Sequence, residues 1–415
     1  MKSQTKYILV LSTILYISCP LVQIDASNYP NNYLALTNEA YKELQSVTYQ
    51  VEVNFSLTHS LTNGHLGSSN YWFKISRFDN RTPNSILTKD VPPFQETNLT
   101  FSKVMGSASP PHVSIDKFNN TYDIFNNTLS SGQSITLSQK YSIKLNEISF
   151  SGVNYSNIKP YDNSSSVIFD LYCINETYYE VDDPELNNTS YEIVDPSDNP
   201  IQKAIKICNW VSNYLTYDGN LPAQEYGAKW AYDNKKGDCS EYSTLMITLL
   251  RCQGIPARKV TGYVISNNPN LRPYVGQTWK FTLSNTDDNF LGHAWVEYYV
   301  EGIGWIASDP TWNKEYNYVN RVDYLRLALN VGAWFSIPEI PQKQSEFPNP
   351  CIVYESNSVS NYQYTLSIKA IETNLTPIDL TLIWLIAIPS GMLVIPTIIV
   401  FIVKKKRKRK AFVNY

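Results

Sequence analysis

The sequence predicts an α+β protein in three parts: an N-terminal antiparallel β-sandwich, a mixed α+β domain and one C-terminal transmembrane helix. Three observations predict this order. Alternating segments separated by turn residues fill the first half, helical periodicity begins near residue 200, and an uncharged apolar segment lies close to the C-terminus. A chain of 415 residues also exceeds one ordinary hydrophobic core.

Residues 1–27 are predicted to be a secretory signal. Two lysines precede the apolar run "YILVLSTILYISC", and small residues follow near Ala26, an order typical of a cleaved export signal. The chain from residue 28 to about residue 378 is therefore expected outside the cell. Sequons of the Asn-x-Ser/Thr type are expected to carry surface glycans there, which makes this a predicted glycoprotein. The chain has eleven of them, among them Asn54, Asn98, Asn126, Asn154, Asn175 and Asn374.

The charge of this extracellular part argues against a nucleic-acid partner. The whole chain has a formal net charge of −3, but nine of its 34 basic residues lie in the signal or the C-terminal tail. The remainder is more acidic than the whole chain, and nucleic-acid binding needs a basic face.

Residues 28–195 are predicted to form the β-sandwich. Segments such as "TYQVEVNFSLTH" and "QSITLSQKYSIKLNEISF" alternate between apolar and polar residues, and turn residues separate such segments. Both features are typical of antiparallel strands in two packed sheets. His59, His65 and His112 are isolated from one another, and we interpret each as a surface histidine rather than a metal ligand.

Residues 196–345 are predicted to form the mixed α+β domain. Asp198 or Asn199 is a suitable N-cap, and Pro200 suits a first helical turn. Apolar residues then recur at helical spacing: Ile201, Ile205, Cys208, Val211 and Leu215.

A second helix is predicted within "KKGDCSEYSTLMITLLRCQGIPAR". Asp238 and Glu241 have the spacing of a capping box, and Gly254 and Pro256 suit the end of the helix. Cys239 then lies in the first turn, where the helix dipole favours an anion and can lower a thiol pKa. The two acidic neighbours oppose this effect, so the helix alone does not determine whether Cys239 is reactive.

His293 is the only histidine of the mixed domain. It opens "GHAWVEYYVEGIGWIASDPTW", which predicts two strands joined by a turn at Gly302–Gly304, with Asp309 at the end of the second strand. A base that takes a thiol proton works best when a third group holds its other nitrogen, and Asp309 is the candidate. Side chains alternate along strands, so the two residues share a face only if the turn has an odd length or a bulge.

The C-terminal part is predicted to contain a stalk, a membrane span and a tail. Residues 346–378 are assigned to a β stalk or linker, in which "YQYTLSIKAIET" is either a strand lent back to a domain or part of the stalk. Residues 379–403 are assigned to the transmembrane helix, because the uncharged run Leu380–Val403 within them is long enough to cross a hydrocarbon core of about 30 Å. The basic run "KKKRKRK" opens a predicted cytoplasmic tail at 404–415. The expected location is the cell membrane, single-pass, with the bulk of the chain outside.

The motifs "GDCSEYSTLMITLLRCQGIPARKVTGYV" and "GHAWVEYYVEGIGWIASDPTW" together resemble the transglutaminase-like superfamily of papain-type cysteine enzymes. The resemblance covers about residues 230–313 and implies a papain-like α+β domain. It also implies that Cys239 is the nucleophile, His293 the general base and acid, and Asp309 its orienting partner. The backbone N–H of Cys239 is the natural first oxyanion donor, and Gln224 and Trp230 are candidates for the second.

The implied reaction is acyl transfer from an amide to water or to another amine. We favour a membrane-anchored peptidase or amidase that acts on peptides, proteins or cell-envelope polymers. One alternative is a protein-glutamine transamidase that crosslinks surface proteins, and another is a non-catalytic adhesion or assembly module. No cofactor or metal is expected, because "NTDDNF" at 285–290 fits an acidic turn better than a calcium loop.

The remaining extracellular cysteines leave two alternatives open. Cys173, Cys208, Cys252 and Cys351 can form two disulfides in three ways. Because Cys208 and Cys252 lie on apolar faces of predicted helices, free buried thiols are the other alternative.

Overall fold

The fold was analysed in a computed structural model of the chain. The structure describes residues 42–376, apart from 61–66, 84–92, 109, 151–157, 159–160, 162–165, 223, 333–334, 338–339, 346–349 and 355–358. The predicted signal, transmembrane helix and cytoplasmic tail lie outside these residues. Within the described part, every helix is too short or too polar to span a membrane.

The largest sheet has six antiparallel strands and contains most of the N-terminal part. Its order is β10-β18-β1-β6-β13, and β3 also pairs with β6. The strands are β1 (Lys42–Ser60), β3 (Gln95–Met105), β6 (Ser134–Ser149), β10 (Thr278–Ser284), β13 (Arg321–Val322) and β18 (Val359–Asn374). Along β1, every second residue from Val47 to Leu57 is buried, as expected for a strand with one face on a core.

A second, four-stranded sheet packs on this one. Its order is β17-β2-β5-β4, with β2 (Ser69–Ser76), β4 (His112–Ile115), β5 (Thr121–Leu129) and β17 (Cys351–Tyr354). The rings of Phe55 and Phe73 meet between the two sheets at 5.5 Å, and Phe73 stacks on Phe125 at 5.0 Å. This half of the described chain therefore has the two packed antiparallel sheets that the alternation predicts.

The interpretation of His59 as a surface residue was wrong. Its side chain is buried, and its Nδ1 lies 2.8 Å from the hydroxyl of Tyr71. The residue faces the core of the sandwich, where a tyrosine satisfies its polar ring. His112 is exposed, as expected, and His65 lies outside the described residues.

Strands from outside residues 28–195 complete the first sheet. β18 pairs with β1 over its whole length, β10 pairs with β18, and β13 pairs with β6. Residues 359–374 are therefore a strand lent back to the sheet rather than part of a separate stalk. Pairing satisfies the backbone groups that an edge of β1 would otherwise expose, so the predicted boundary at residue 195 does not divide the sheet.

Six helices among the described residues lie between and around the later strands. They are α1 (Val167–Tyr172), α2 (Pro184–Ile193), α3 (Pro200–Tyr214), α4 (Ala228–Asn234), α5 (Cys239–Cys252) and α6 (Pro310–Tyr316). The short parallel pair β7 (Thr216–Tyr217) and β8 (Lys236–Gly237) connects α3 to α5. α1 and α2 fall within residues assigned from the sequence to the sandwich, so that part of the prediction was wrong.

A third sheet supports the long helix α5. Its order is β12-β11-β9-β14, with β9 (Ala257–Val264), β11 (Gly292–Val300), β12 (Gly304–Ser308) and β14 (Arg326–Val331). Apolar residues of α5 and of this sheet share one core, among them Leu245, Leu249, Val296 and Ile306. A Cβ atom at Gly262 would lie 1.9 Å from the carbonyl oxygen of Leu327, so only glycine permits β9 and β14 to approach here. A further hairpin joins β15 (Phe335–Ile337) to β16 (Ile340–Ser345).

Candidate active site

Cys239 is the first residue of α5, and a capping box fixes its backbone. The Asp238 side chain accepts a hydrogen bond from the backbone N–H of Ser240 at 2.7 Å. The Glu241 carboxylate in turn accepts from the backbone N–H of Asp238 at 3.0 Å. The capping box predicted from the sequence is thus confirmed. It holds the cysteine at the positive end of the helix dipole.

His293 and Asp309 meet because their hairpin has an odd turn. β11 and β12 pair Val296 with Ser308 and Val300 with Gly304, which leaves residues 301–303 as the turn. Odd positions therefore face odd positions, and His293 Nε2 lies 2.6 Å from Asp309 Oδ2. The three-residue turn is possible because Gly302 and Gly304 adopt φ angles of 77° and 102°.

The Asp309 carboxylate is held on both of its oxygens. Oδ1 caps α6 by accepting from the backbone N–H groups of Thr311 at 3.1 Å and Trp312 at 3.3 Å. Oδ2 accepts from His293 and from the Arg326 guanidinium, whose Nη2 is 2.6 Å away. Burial raises the pKa of this carboxyl, but the charges and hydrogen bonds of His293 and Arg326 outweigh burial and hold the pKa well below its usual range. Asp309 is therefore an anion at every physiological pH.

Arg326 is a residue that the sequence analysis missed. It lies on β14, fully buried, and its Nη1 donates to Asp323 Oδ2 at 2.8 Å. Its guanidinium also lies 4.0 Å from the ring centroid of Tyr318. The one available signal was a charged residue within the apolar run "YLRLALNV", which predicts a buried charge but not its partner.

The Cys239 sulfur lies at the start of the histidine strand. The backbone N–H of Ala294, the residue after His293, is among the groups that lower the pKa of its thiol. Burial and the Asp238 charge raise the pKa of the thiol well above its usual range, although Ala294 and Lys259 act in the opposite direction. Burial is the largest cause of the raised pKa, and the acidic neighbour Asp238 adds to it, as expected. The resting group is a thiol, and its activation needs a base.

Aromatic side chains surround the imidazole and form the rim of the site. The His293 ring lies 6.1 Å from Trp295 and 5.5 Å from the half-buried Trp312. Burial raises the pKa of Tyr217 to about 12, and the charge of a Cys239 thiolate adds to this effect, although the tyrosine is 58% exposed. These rings limit the access of water to the imidazole, and the sequence analysis gave none of the three a role in the site.

The two oxyanion candidates lie in the segment before α5. Gln224 is exposed, and its backbone N–H donates to the carbonyl of Pro222 at 2.7 Å. Trp230 lies on α4, where its ring stacks on Tyr226 at 4.3 Å. The contacts of these two side chains give neither of them a place at the sulfur, and their assignment as donors stays a prediction.

Three of the other cysteines in the described residues are free thiols. They are Cys173, Cys208 and Cys252, and Cys239 is also a free thiol. The described part of the chain also holds no group of three or more His, Cys, Asp or Glu side chains arranged to bind a metal ion. Residues 284–289 form a tight turn in which the backbone N–H of Ser284 donates to the carbonyl of Asp287 at 2.7 Å.

A helix that begins at a cysteine and packs on a sheet carrying a paired histidine and aspartate is the papain-type arrangement. Residues 187–310 match the model of the Transglutaminase-like superfamily. The chain thus contains a transglutaminase-like domain with a papain-type fold, as its motifs predict.

Two relatives match a short part of the chain. It is 31% identical over 120 residues to YebA, an uncharacterized protein of Bacillus subtilis, a match that covers 28% of this chain and 16% of YebA. It is 37% identical over 81 residues to a protein-glutamine gamma-glutamyltransferase of Pseudomonas aeruginosa, which covers 20% of this chain and 11% of that protein. The chain therefore spans no more than 16% of the length of these two relatives.

A solved structure extends the likeness beyond the shared domain. A proposed cysteine protease from Cytophaga hutchinsonii superposes with a TM-score of 0.50 over 81% of this chain and 95% of that protein, at 14% identity. At this identity the likeness concerns the fold alone. It includes much of the sheet-rich part as well as the helical part.

Proposed function

We propose that this chain is a membrane-anchored, cysteine-dependent enzyme that hydrolyses amide bonds in peptides, proteins or cell-envelope polymers outside the cell. The contact of 2.6 Å between His293 Nε2 and Asp309 Oδ2 is the observation that carries this proposal. It leaves Nδ1 as the ring nitrogen for the thiol proton, and the backbone N–H of the next residue, Ala294, lowers the pKa of the Cys239 thiol.

The first half of the proposed reaction forms an acyl-enzyme. His293 Nδ1 takes the proton of the Cys239 thiol, and the sulfur attacks the carbonyl carbon of the amide. The backbone N–H of Cys239 at the start of α5 donates to the oxyanion that develops on the carbonyl oxygen. When the C–N bond breaks, His293 gives its proton to the leaving amine, and a thioester remains on the sulfur.

The second half returns the enzyme to its resting state. Water attacks the thioester carbonyl while His293 accepts one of its protons. The C–S bond then breaks, the carboxylic acid leaves, and the proton returns to the sulfur. Asp309 stays ionised throughout, because Arg326 and the backbone of α6 hold both of its oxygens, and it stabilises the imidazolium of each step.

Transamidation is the second candidate function. A relative that shares 81 aligned residues is named a protein-glutamine gamma-glutamyltransferase. Both reactions use the same acyl-enzyme and differ only in whether water or a primary amine attacks the thioester. Cys239 is half-buried, and two tryptophan rings lie beside the imidazole of His293, which supports a site in which access of water is restricted.

The proposed location rests on the two ends of the chain. Residues 1–27 have the order of an export signal, and residues 379–403 have the length and apolarity of a membrane span followed by basic residues. Protease added to intact cells is expected to remove the part before residue 379 and to leave a fragment with the basic tail. Full protection of the chain would contradict this location.

The full-length chain, assayed with and without a primary amine, tests the function. Peptides, a denatured protein and isolated cell envelope are offered as substrates, and new carboxyl groups, released ammonia and incorporated dansylcadaverine are measured. Hydrolysis is expected in the wild type, none with Cys239→Ala, and hydrolysis retained with Cys252→Ala. Amine incorporation in preference to hydrolysis would identify the transamidase. Activity unaffected by Cys239→Ala, or no acyl chemistry on any substrate, would contradict the enzyme and favour an adhesion or assembly module.

A further inference from the structure

A buried lysine lies directly under the first turn of α5. The Lys259 side chain on β9 is 1% exposed, and its Nζ lies 3.0 Å from Glu225 Oε2. Nζ also donates to Ser240 Oγ at 2.9 Å. The Ser240 hydroxyl donates to the same carboxylate oxygen, and Thr244 Oγ1 donates to the other one at 2.8 Å. We call Lys259, Glu225, Ser240 and Thr244 the lysine cluster.

The lysine cluster joins three elements at the first turn of α5. Ser240 is the residue after Cys239, so one contact of the ammonium lies beside the nucleophile. Glu225 belongs to the segment between β7 and α4, which also contains Gln224. Lys259 pairs across the sheet with Val296, three residues after His293 on β11. The cluster thus fixes the start of the helix and the upstream segment against the histidine sheet.

Stability alone is a weak reason for such a cluster. A buried ion pair gains little over apolar side chains of the same shape, because both charges lose their water. The adjacent pair on the same strand offers a comparison. Arg258 Nη2 lies 2.7 Å from Glu297 Oε2, both side chains are largely buried, and the guanidinium lies 3.8 Å from the ring centroid of Trp305. Side chains alternate along a strand, so this pair faces away from the lysine cluster.

We propose that Lys259 is a positioning residue for Cys239. Lys259 binds Ser240 and Glu225, and it thereby holds the nucleophile and the upstream segment in the geometry needed for attack. This inference rests on the proposed function, because it presumes that Cys239 is the nucleophile. Lys259 acts through Ser240 and Glu225 and has no part in the bonds that form or break.

The charge of Lys259 supports the same role. The titratable groups that interact with the Cys239 thiol come from several elements: Tyr217, Asp238, Lys259 and Asp309. Asp238 and Asp309 raise the pKa of the thiol, and Lys259 lowers it. Lys259 itself faces Glu225 and the ring of Tyr179, whose centroid is 5.8 Å away. Loss of the ammonium would leave the thiolate with more negative surroundings.

The first test compares two double variants of the full-length chain. Lys259→Met with Glu225→Gln removes their ion pair without leaving a buried charge unpaired, and Arg258→Met with Glu297→Gln does the same to the adjacent pair. The rate of Cys239 alkylation by iodoacetamide is measured from pH 5 to 10 by peptide mass spectrometry. Thermal unfolding confirms that each variant is folded.

If Lys259 positions Cys239, only the double variant of Lys259 and Glu225 should change the reactivity of the sulfur. Without Lys259 and Glu225, the alkylation rate of Cys239 should fall about threefold or more across the profile, since the first turn of α5 loses the hydrogen bonds that hold Ser240. The Arg258 and Glu297 variant should follow the wild type. If both double variants follow the wild type, Lys259 is only a structural residue and the inference is overturned.

A second comparison applies if the double variant does not fold. Ser240→Ala removes the hydroxyl through which the Lys259 ammonium contacts the first turn of α5. Ser243→Ala, on the same helix, removes a buried hydroxyl that has no hydrogen-bond partner within the described part of the chain. Ser240→Ala should slow alkylation at pH 7 about threefold or more, the effect of one lost hydrogen bond, and Ser243→Ala should not. Equal rates would overturn the inference. A wild-type Cys239 that reacts no faster than Cys252 would instead contradict the proposed function.

Discussion

Arg326 Nη2 lies 2.6 Å from Asp309 Oδ2, and each of the two side chains is 1% exposed. The same carboxylate oxygen faces His293 Nε2. The arginine therefore has two effects on the candidate site. It keeps Asp309 ionised, so that the histidine has an anion beside it, and it shares the oxygen that orients the ring. A cation on the far side of the aspartate also limits how strongly Asp309 attracts the imidazolium proton.

The first prediction concerns the stability that Arg326 provides. Arg326→Met leaves the carboxylates of Asp309 and Asp323 buried without their cation, so we expect the free energy of unfolding to fall by about 3–5 kcal/mol. Urea denaturation followed by fluorescence measures this loss. Lys140→Met is the control, because its pair with Glu52 is 3.1 Å long but exposed, and its removal should cost about 1 kcal/mol or less. A similar small loss in both variants would contradict the account of Arg326.

The sequence was sufficient for features that depend on neighbouring residues. The capping box at Asp238 and Glu241 follows from residue types three positions apart. The odd turn between His293 and Asp309 follows from alternation and from two glycines that permit a three-residue loop. In both cases the geometry is set within a few residues, where local preferences determine the conformation.

Pairings between distant segments were beyond the sequence. Alternation in residues 359–374 predicts a strand, but the choice of β1 and β10 as its neighbours depends on which sheet edges remain open after folding. Arg326 reaches Asp309 only because β14 adds to the sheet next to β9. A single sequence carries no signal for that register. The predicted domain boundary at residue 195 and the omission of Arg326 from the predicted site both result from this lack of signal.

The second prediction concerns the pH dependence of stability due to Asp309. Its pKa is depressed in the folded chain, so its stabilising effect is present above the unfolded value of about 3.9 and is lost as pH falls. The stability difference between wild type and Asp309→Asn should be constant above about pH 5 and should shrink below about pH 4. Chemical denaturation from pH 3 to 7 measures it. A difference that grows on acidification would show that Asp309 is not held as an anion.

The third prediction has the opposite sign and concerns Glu241. Burial, with the charges of Asp238 and Glu225, raises the pKa of its carboxyl to about 7. The folded chain therefore prefers the protonated form, and stability is lost as pH rises from about 4.3 to 7. Glu241→Gln should remove this slope between pH 5 and 7 while it keeps an acceptor for the capping box. Glu185→Gln, at an exposed position in the first turn of α2, should leave the slope unchanged. Parallel slopes in wild type and Glu241→Gln would exclude a raised pKa.

The last prediction concerns the selectivity of thiol labelling at neutral pH. Burial raises the pKa of Cys252 to about 11 and that of Cys208 still further, and neither has an imidazole to take its proton. The Cys239 thiol also has a raised pKa, so its reactivity should come from His293 rather than from the helix. Iodoacetamide is therefore expected to label Cys239 at least about tenfold faster than the other two, since a positioned base contributes this much or more.

The matched histidine variants decide whether that reactivity belongs to the site. His293→Ala should reduce labelling of Cys239 to the rate of a buried thiol, because it removes the imidazole that is proposed to take the thiol proton. His112→Ala removes an exposed histidine on β4 and should leave the rate unchanged. Labelling is followed for each cysteine by peptide mass spectrometry on folded protein. If His293→Ala retains the full rate, the imidazole has no role in activating the thiol, and the Cys239, His293 and Asp309 arrangement is structural.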